Sequence, residues 1–202
     1  MIPHRSARLR LSLAAGALLS VGALFTAATF TDAADVHVFL DGSQNTFEIR
    51  TAGSVRDGWV PSEDQWQPGR PAPYEIALEE GTVLAPGGSI SLRIAAQNAS
   101  PRLAGTLSLS IVDPDPRGDE IDPDTGRFVE LFDQLQFTVR DGDRTLMDRV
   151  PAPELTTYTW DDAFEAGEHR LLDVRIDLPD TVDNRWRGAG TGVQFQFEGE
   201  NR

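Results

Sequence analysis

The feature that most constrains the fold is a two-residue alternation of apolar and polar side chains, repeated in short runs along the chain. Successive side chains of a β-strand point to opposite faces, so each run predicts a strand with one buried and one solvated face. Gly- and Pro-rich turns separate the runs, and no long amphipathic helix is indicated. Such runs cover residues 36–40, 46–51, 74–79, 90–95, 107–111, 137–139, 172–178 and 193–198. This pattern predicts an all-β chain, an antiparallel β-sandwich that is jelly-roll-like.

The segments between the runs carry their own expectations. Residues Arg140–Arg144 predict a hairpin loop, because Asp-Gly lies at its centre. Short helical turns are predicted at Phe128–Leu135 and Asp161–Ala166. Residues Ser54–Pro73 are rich in Pro, Gly and Trp and predict a long ordered loop.

The N-terminus has the pattern of an export signal. The first ten residues hold three Arg and no acidic residue, the apolar stretch Leu11–Phe25 follows, and small residues come next. We therefore predict a signal peptide over 1–28, cleaved after Ala28, and a single sandwich domain over 29–202. The alternative is a retained membrane anchor, because a spanning helix needs only about 20 uncharged residues.

Charge and composition exclude several classes of function. The chain has 32 acidic residues against 18 basic ones, all Arg, for a net charge of -14. Predicted cleavage leaves 15 Arg against the same 32 acidic residues, a net charge of -17. This charge repels nucleic acid and anionic lipid, so neither is an expected partner. The sequence contains no Cys and no Lys, which excludes disulfides, thiolate chemistry and Schiff bases.

Several segments resemble a family of exported bacterial proteins. Phe25–Asp32 ends the signal peptide in the manner of signals processed by a SipW-type signal peptidase. In Leu84–Arg93, Pro86 and Gly87 predict a type II turn before a strand. Further matching segments are Ala96–Ser100, Leu103–Val112, Phe132–Val139, Val174–Leu178, Asp183–Gly188 and Val193–Glu198. In these features the chain is similar to the TasA/camelysin family of surface and biofilm-matrix proteins.

The resemblance implies a non-enzymatic structural protein, secreted to the extracellular surface or matrix of a bacterium. It implies a signal peptidase as partner during export, no membrane span after processing, and self-association into fibres by strand addition. The expected donor is Thr29–Leu40, in which Val36, Val38 and Leu40 share one face. The alternative is that this segment is the first strand of its own sandwich or a frayed tail.

The sequence does not support catalysis, although some camelysin relatives are catalogued as metallopeptidases. His37 and His169 lack the His-Glu-x-x-His spacing of a zinc peptidase. Glu165 and Glu168 precede His169, and such a pair is expected at a solvated strand edge. No Gly-x-Ser-x-Gly motif is present. We therefore predict no catalytic, cofactor-binding or metal-binding residues and no cofactor, with one open question.

The open question is whether the acidic loop Asp113–Asp124 binds Ca²⁺. Carboxylates at short spacing on a loop stiffened by Pro and Gly suit Ca²⁺, although the EF-hand register is missing. The alternative is a solvated, self-repelling loop whose Asp and Pro residues make turns. The acidic residues are Asp113, Asp115, Asp119, Glu120, Asp122 and Asp124.

The aromatic residues leave a competing function open. Trp59, Trp66, Tyr74, Tyr158 and Trp160 occur in or near predicted loops. On a secreted sandwich they could stack on sugar rings, which would make the chain a carbohydrate-binding module. The other interpretation is that they plug the ends of the sandwich.

Overall fold

The structure is a computed structural model that describes residues 47–68, 76 and 83–201. The described residues all fall within one compact unit, residues 42–202. The predicted signal peptide, the cleavage site, the donor segment 29–40 and most of the predicted strand 74–79 lie outside the described residues. No helix in the described part is long and apolar enough to cross a membrane.

The described residues form two antiparallel sheets. One has six strands in the order β2-β1-β3-β8-β5-β6 and the other has three in the order β7-β4-β9. The strands are β1 (Ile49–Ser54), β2 (Gln67–Pro68), β3 (Ser89–Asn98), β4 (Gly105–Val112), β5 (Gln136–Asp141), β6 (Arg144–Pro151), β7 (Tyr158–Thr159), β8 (His169–Asp177) and β9 (Gln194–Asn201). Short 3₁₀ turns occur at Glu63–Gln65, Phe132–Gln134, Ala152–Glu154 and Asn184–Trp186. The predicted all-β antiparallel sandwich is confirmed.

The alternation in the sequence explains the core. In β4, every second residue is buried, beginning at Gly105. The inward side chains of this strand pack with those of β3, β5 and β8 in one apolar cluster. Trp160, Phe137 and Phe164 are the largest fully buried side chains. Because apolar burial is the main favourable term in folding, this cluster holds the two sheets together.

Of the two predicted short helical turns, one is present and the other is absent. Within Phe128–Leu135 only Phe132–Gln134 is helical. Residues Asp161–Ala166 contain no helix. There the Phe164 amide donates to the Gly105 carbonyl at 2.8 Å, and the Gly105 amide donates back at 3.1 Å. The burial of Phe164 and this exchange of hydrogen bonds hold the backbone extended.

Both predicted turns are present, and one of them is tighter than the sequence indicated. The predicted loop Arg140–Arg144 is a two-residue turn, because Asp141 already pairs with Arg144. Gly142 lies in this turn with φ of 56°. The predicted Pro-Gly turn is present, with Gly87 at φ 79° and a 2.8 Å hydrogen bond from the Gly88 amide to the Ala85 carbonyl.

Phe47 joins the two sheets at one end. Its ring packs over Gly105 of β4 and Gly199 of β9, where a Cβ atom would collide with it. A Cβ on Gly199 would also lie 2.5 Å from Cδ1 of Ile49. The glycines therefore allow β1 and β9 to approach each other at this end.

Gly199→Ala should lower the free energy of unfolding by about 1–3 kcal/mol, because the added methyl overpacks this contact. Urea denaturation of the variant measures the loss. Gly190→Ala is the matched control, since its added Cβ would meet no atom within 4 Å. Equal stability of the two variants would contradict the described packing of Phe47.

Candidate functional site

An apolar groove of about 2250 Å³ lies between the two sheets. Its lining draws on both sheets, with Ile49 of β1 and Ile90 of β3 from the six-stranded sheet and Phe195 and Phe197 of β9 from the three-stranded sheet. Its apolar lining includes Phe47, Ile49, Val55, Ile76, Leu84, Ile90, Leu92, Ile94, Val182, Trp186, Val193, Phe195 and Phe197. Many of these side chains are only half-buried, so the groove presents apolar surface that another segment could cover.

The strand β9 forms one wall of the groove, and one of its two edges has no partner strand among the described residues. It pairs with β4 along eight residues, and no other strand in the described part of the chain pairs with it. Phe195 and Phe197 pair with Ile111 and Leu109, which are buried residues of β4. The alternating residues Gln194, Gln196 and Glu198 also line the groove. An edge of this length offers a row of backbone N–H and C=O groups for a further strand.

The other described edges are less suited to strand addition. The outer strands β2 and β7 have only two residues each. The remaining outer strand, β6, is irregular against β5, and Arg149 within it has a φ of 51°. Asp148 and Arg149 are exposed, and Pro151 ends the strand. Bulges, charges and Pro are the usual means by which an edge is blocked.

The acidic loop forms turns rather than an assembled metal site. The Asp113 carboxylate accepts a 2.9 Å hydrogen bond from the Asp115 amide. Asp122 accepts from the Asp124 amide at 2.9 Å and from the Thr125 hydroxyl at 2.8 Å. These hydrogen bonds lower the pKa of Asp122. No group of three potential ligands converges anywhere in the described ranges, and Ca²⁺ binding at Asp113–Asp124 stays a prediction.

Glu130 carries a buried carboxylate that the sequence pattern did not predict. Only 7% of Glu130 is exposed, and its Oε1 accepts from the Leu131 amide at 2.9 Å and the Phe132 amide at 3.1 Å. The available signal was a single charge within the apolar run Phe128–Phe132.

Of the residues considered for a metallopeptidase, those that the structure describes form no cluster of three potential metal ligands. His169 is exposed at the start of β8, where its ring meets Trp66 edge-on at 6.2 Å. Glu168 pairs with Arg170 at 3.1 Å, and Glu165 is exposed. His37 lies outside the described residues.

Two of the predicted sugar-stacking aromatics are covered. Trp59 is buried on the outer face of the six-stranded sheet, and its Nε1 donates to Gln65 at 3.1 Å. Trp160 is buried in the core, while Trp66 and Tyr158 are half-buried. Burial removes the ring faces of Trp59 and Trp160 from stacking on a sugar. Tyr74 lies outside the described residues.

Comparison with known proteins adds little. No protein family matches the chain, and no curated protein matches it. A solved structure with some likeness is described by the words "AvmM Catalyzes Macrocyclization in Alchivemycin A Biosynthesis". It is 12% identical, the match covers 61% of this chain and 85% of that one, and the TM-score is 0.28. A similarity this low carries no argument about fold or function.

Proposed function

We propose that this chain is an exported, non-enzymatic structural protein of a bacterial cell surface or extracellular matrix. Copies assemble into fibres when the N-terminal segment of one adds a strand to the groove of the next. The observation that carries the proposal is the edge of β9, which no described strand covers and which lies beside an apolar groove. Such a pair of features matches strand addition, in which backbone hydrogen bonds give affinity and side-chain pockets give specificity.

The donor segment Thr29–Leu40 has the right length and pattern for this groove. Extended at about 3.3 Å per residue, it would span roughly 40 Å, more than the eight residues of β9 require. Val36, Val38 and Leu40 would place three apolar side chains on one face. That face would cover the lining of the groove while the backbone pairs with β9.

The charge of the chain favours a specific contact over general aggregation. The chain that begins at Thr29 would carry a net charge of -17, which makes copies repel each other at random orientations. The absence of Cys and Lys means that the assembly would be non-covalent. Fibres of this kind would therefore dissociate in denaturant without reducing agent.

Val38→Asp should abolish fibres of the chain that begins at Thr29, because it would place a charge in the apolar groove. Negative-stain electron microscopy and sedimentation measure the assembly. His37→Asp is the matched control, since it adds the same charge at the adjacent residue on the opposite face. We expect His37→Asp to form fibres as the parent does.

Two results would contradict the proposal. If the parent chain stays monomeric at all concentrations, the proposal that it forms fibres is wrong. If Val38→Asp instead destabilises a monomeric protein that never forms fibres, the segment is the first strand of its own sandwich.

A further inference from the structure

A row of polar side chains crosses the outer face of the six-stranded sheet, and we call it the polar row (Arg50, Gln97 and His169). Arg50 of β1 pairs in register with Gln97 of β3, and Gln97 pairs in register with His169 of β8. Residues paired in this way project to the same face of a sheet. Because neighbouring strands lie about 4.8 Å apart, the polar row is roughly 10 Å long. Arg50 and His169 are exposed, and Gln97 is half-buried.

An indole ring adjoins the polar row on the same face. Two paired alanines, Ala52 and Ala95, lie next to the row and are buried. Their small side chains leave space for larger rings above the sheet. Trp59 is buried against them, and Trp66 packs on the same cluster but is only half-buried. The ring of His169 meets that of Trp66 edge-on, with 6.2 Å between the centroids.

The loop that leads to this indole is held in place by hydrogen bonds. The Nε1 of Trp59 donates to Oε1 of Gln65 at 3.1 Å, and the Ser62 amide donates to the same oxygen at 3.0 Å. From β3, Arg93 donates to the Trp59 carbonyl at 3.0 Å and pairs with Asp173 at 2.6 Å. These contacts order the loop without a ligand. A surface that is already ordered loses less free energy when it binds.

An indole beside planar polar groups suits a sugar ring. The axial C–H groups of a pyranose carry partial positive charge, and they contact the negative face of an aromatic ring. The equatorial hydroxyls of the sugar lie near the plane of its ring, where they both donate and accept hydrogen bonds. In the polar row, the Arg50 guanidinium donates, whereas the Gln97 amide and the His169 imidazole offer both donors and acceptors.

Charge selects between neutral and acidic sugars. The Nε of Arg50 pairs with Oε1 of Glu48 at 3.0 Å, so this end of the polar row carries no net charge. The chain as a whole has a net charge of -14, which repels sugars that carry carboxylates or sulfates. Both partners of the pair keep more than a third of their side chains exposed, so each can still hydrogen-bond to a hydroxyl. The charges therefore favour a neutral glycan.

We propose that Trp66 and the polar row bind a neutral polysaccharide whose rings carry equatorial hydroxyls, as in β-linked glucans. Such a ring exposes axial C–H groups on both faces, so one face stacks on Trp66 while the hydroxyls at its edge meet the polar row. The site lies on the face of a sheet, so it receives a stretch within a long chain of sugars. Binding does not depend on fibre formation, because every residue of the site belongs to one chain.

Isothermal titration calorimetry of the full chain with cellohexaose, a neutral β-linked oligomer of glucose, tests this site. We expect the parent to bind and Trp66→Ala to bind at least about tenfold more weakly, because the stacking surface is lost. Trp66→Phe should recover part of the affinity, since an aromatic ring remains. An oligomer of galacturonate of the same length should bind the parent at least about tenfold more weakly than cellohexaose does.

A second variant keeps the inference falsifiable if Trp66→Ala fails to fold. Arg50 is exposed, so Arg50→Gln should leave the fold intact and lower the affinity for cellohexaose about fivefold through lost hydrogen bonds. Arg175→Gln is the matched control. Arg175 is also exposed on the outer face of this sheet, and it pairs with Asp177 as Arg50 pairs with Glu48. The control should bind cellohexaose as the parent does.

Three results would overturn the glycan site. The first is a parent chain that gives no heat of binding with cellohexaose up to its solubility limit. The second is equal affinity of the parent, Trp66→Ala and Arg50→Gln, which would place the binding elsewhere on the molecule. The third is tighter binding of the galacturonate oligomer than of cellohexaose. If cellohexaose binds as expected while the chain forms no fibres, the glycan site stands and the assembly proposal falls.

Discussion

Arg170→Met is expected to lower the free energy of unfolding by about 3 kcal/mol, because it removes a largely buried cation from three partly exposed carboxylates. Arg170 lies on β8 two residues before the buried Leu172, so both side chains are on the inner face of the sheet. The Arg170 side chain is only 12% exposed. It contacts Asp141 at 3.2 Å and Glu168 at 3.1 Å, and it also pairs with Asp162. The substitution would leave three carboxylates to repel one another.

The aromatic surroundings of Arg170 add to the effect. Its guanidinium lies 5.4 Å from the ring centroid of Trp160 and 6.0 Å from that of Phe164. The Asp141 carboxylate that it binds also accepts from Trp160 Nε1 at 2.9 Å. Loss of the guanidinium would therefore disturb the Asp141 carboxylate, whose hydrogen bond orients the buried Trp160.

The effect of Arg170→Met should shrink in acid. Hydrogen bonding from Arg170 lowers the pKa of Asp162, so this pair stabilises the fold above the unfolded pKa of Asp162. The contribution is lost as pH falls through the lowered folded pKa. Urea denaturation at neutral and acidic pH measures both the size of the effect and its pH dependence.

Arg175→Met provides the matched control. Arg175 lies on the same strand but on the outer face, where its side chain is 56% exposed and pairs with Asp177. Exposed ion pairs contribute at most about 1 kcal/mol. If the two variants lost equal stability, the cluster around Arg170 would not hold the end of the sandwich.

The sequence predicted the parts of the fold that follow from local alternation. In β3, β4 and β9 the apolar positions repeat every second residue, and each became a strand. In β8 the same periodicity extends back to Arg170, but a charge at an inward position gave no apolar signal. The two-residue strands β2 and β7 are too short to show any alternation.

The candidate site could not be predicted in the same way. The groove depends on the division of nine described strands into sheets of six and three, and strand partners are set by tertiary packing. The alternation of Val36, Val38 and Leu40 could be recognised in the sequence as a donor strand, but the groove that would accept this strand could not. Likewise, only folding buries the Glu130 carboxylate and places its Oε1 against the backbone amides of Leu131 and Phe132.

Asn98 is another buried polar residue, and its substitution should lower the free energy of unfolding. It lies at the end of β3 and is fully buried. Its Nδ2 donates to the Leu103 carbonyl at 2.8 Å and to the Phe164 carbonyl at 2.9 Å. Its Oδ1 accepts from the Ser100 amide at 3.0 Å. One amide thus joins the turn after β3 to the segment that carries Phe164.

Asn98→Asp should therefore lower the free energy of unfolding by at least about 3 kcal/mol at neutral pH. The change replaces a double donor with a carboxylate that faces two carbonyl oxygens in a buried site. The loss should be smaller below about pH 4, the unfolded pKa of Asp, because a protonated carboxyl can donate once. Urea denaturation across this range measures both effects. The exposed Asn201→Asp should change stability by less than about 0.5 kcal/mol, and an Asn98→Asp variant as stable as this control would contradict the described role of the amide.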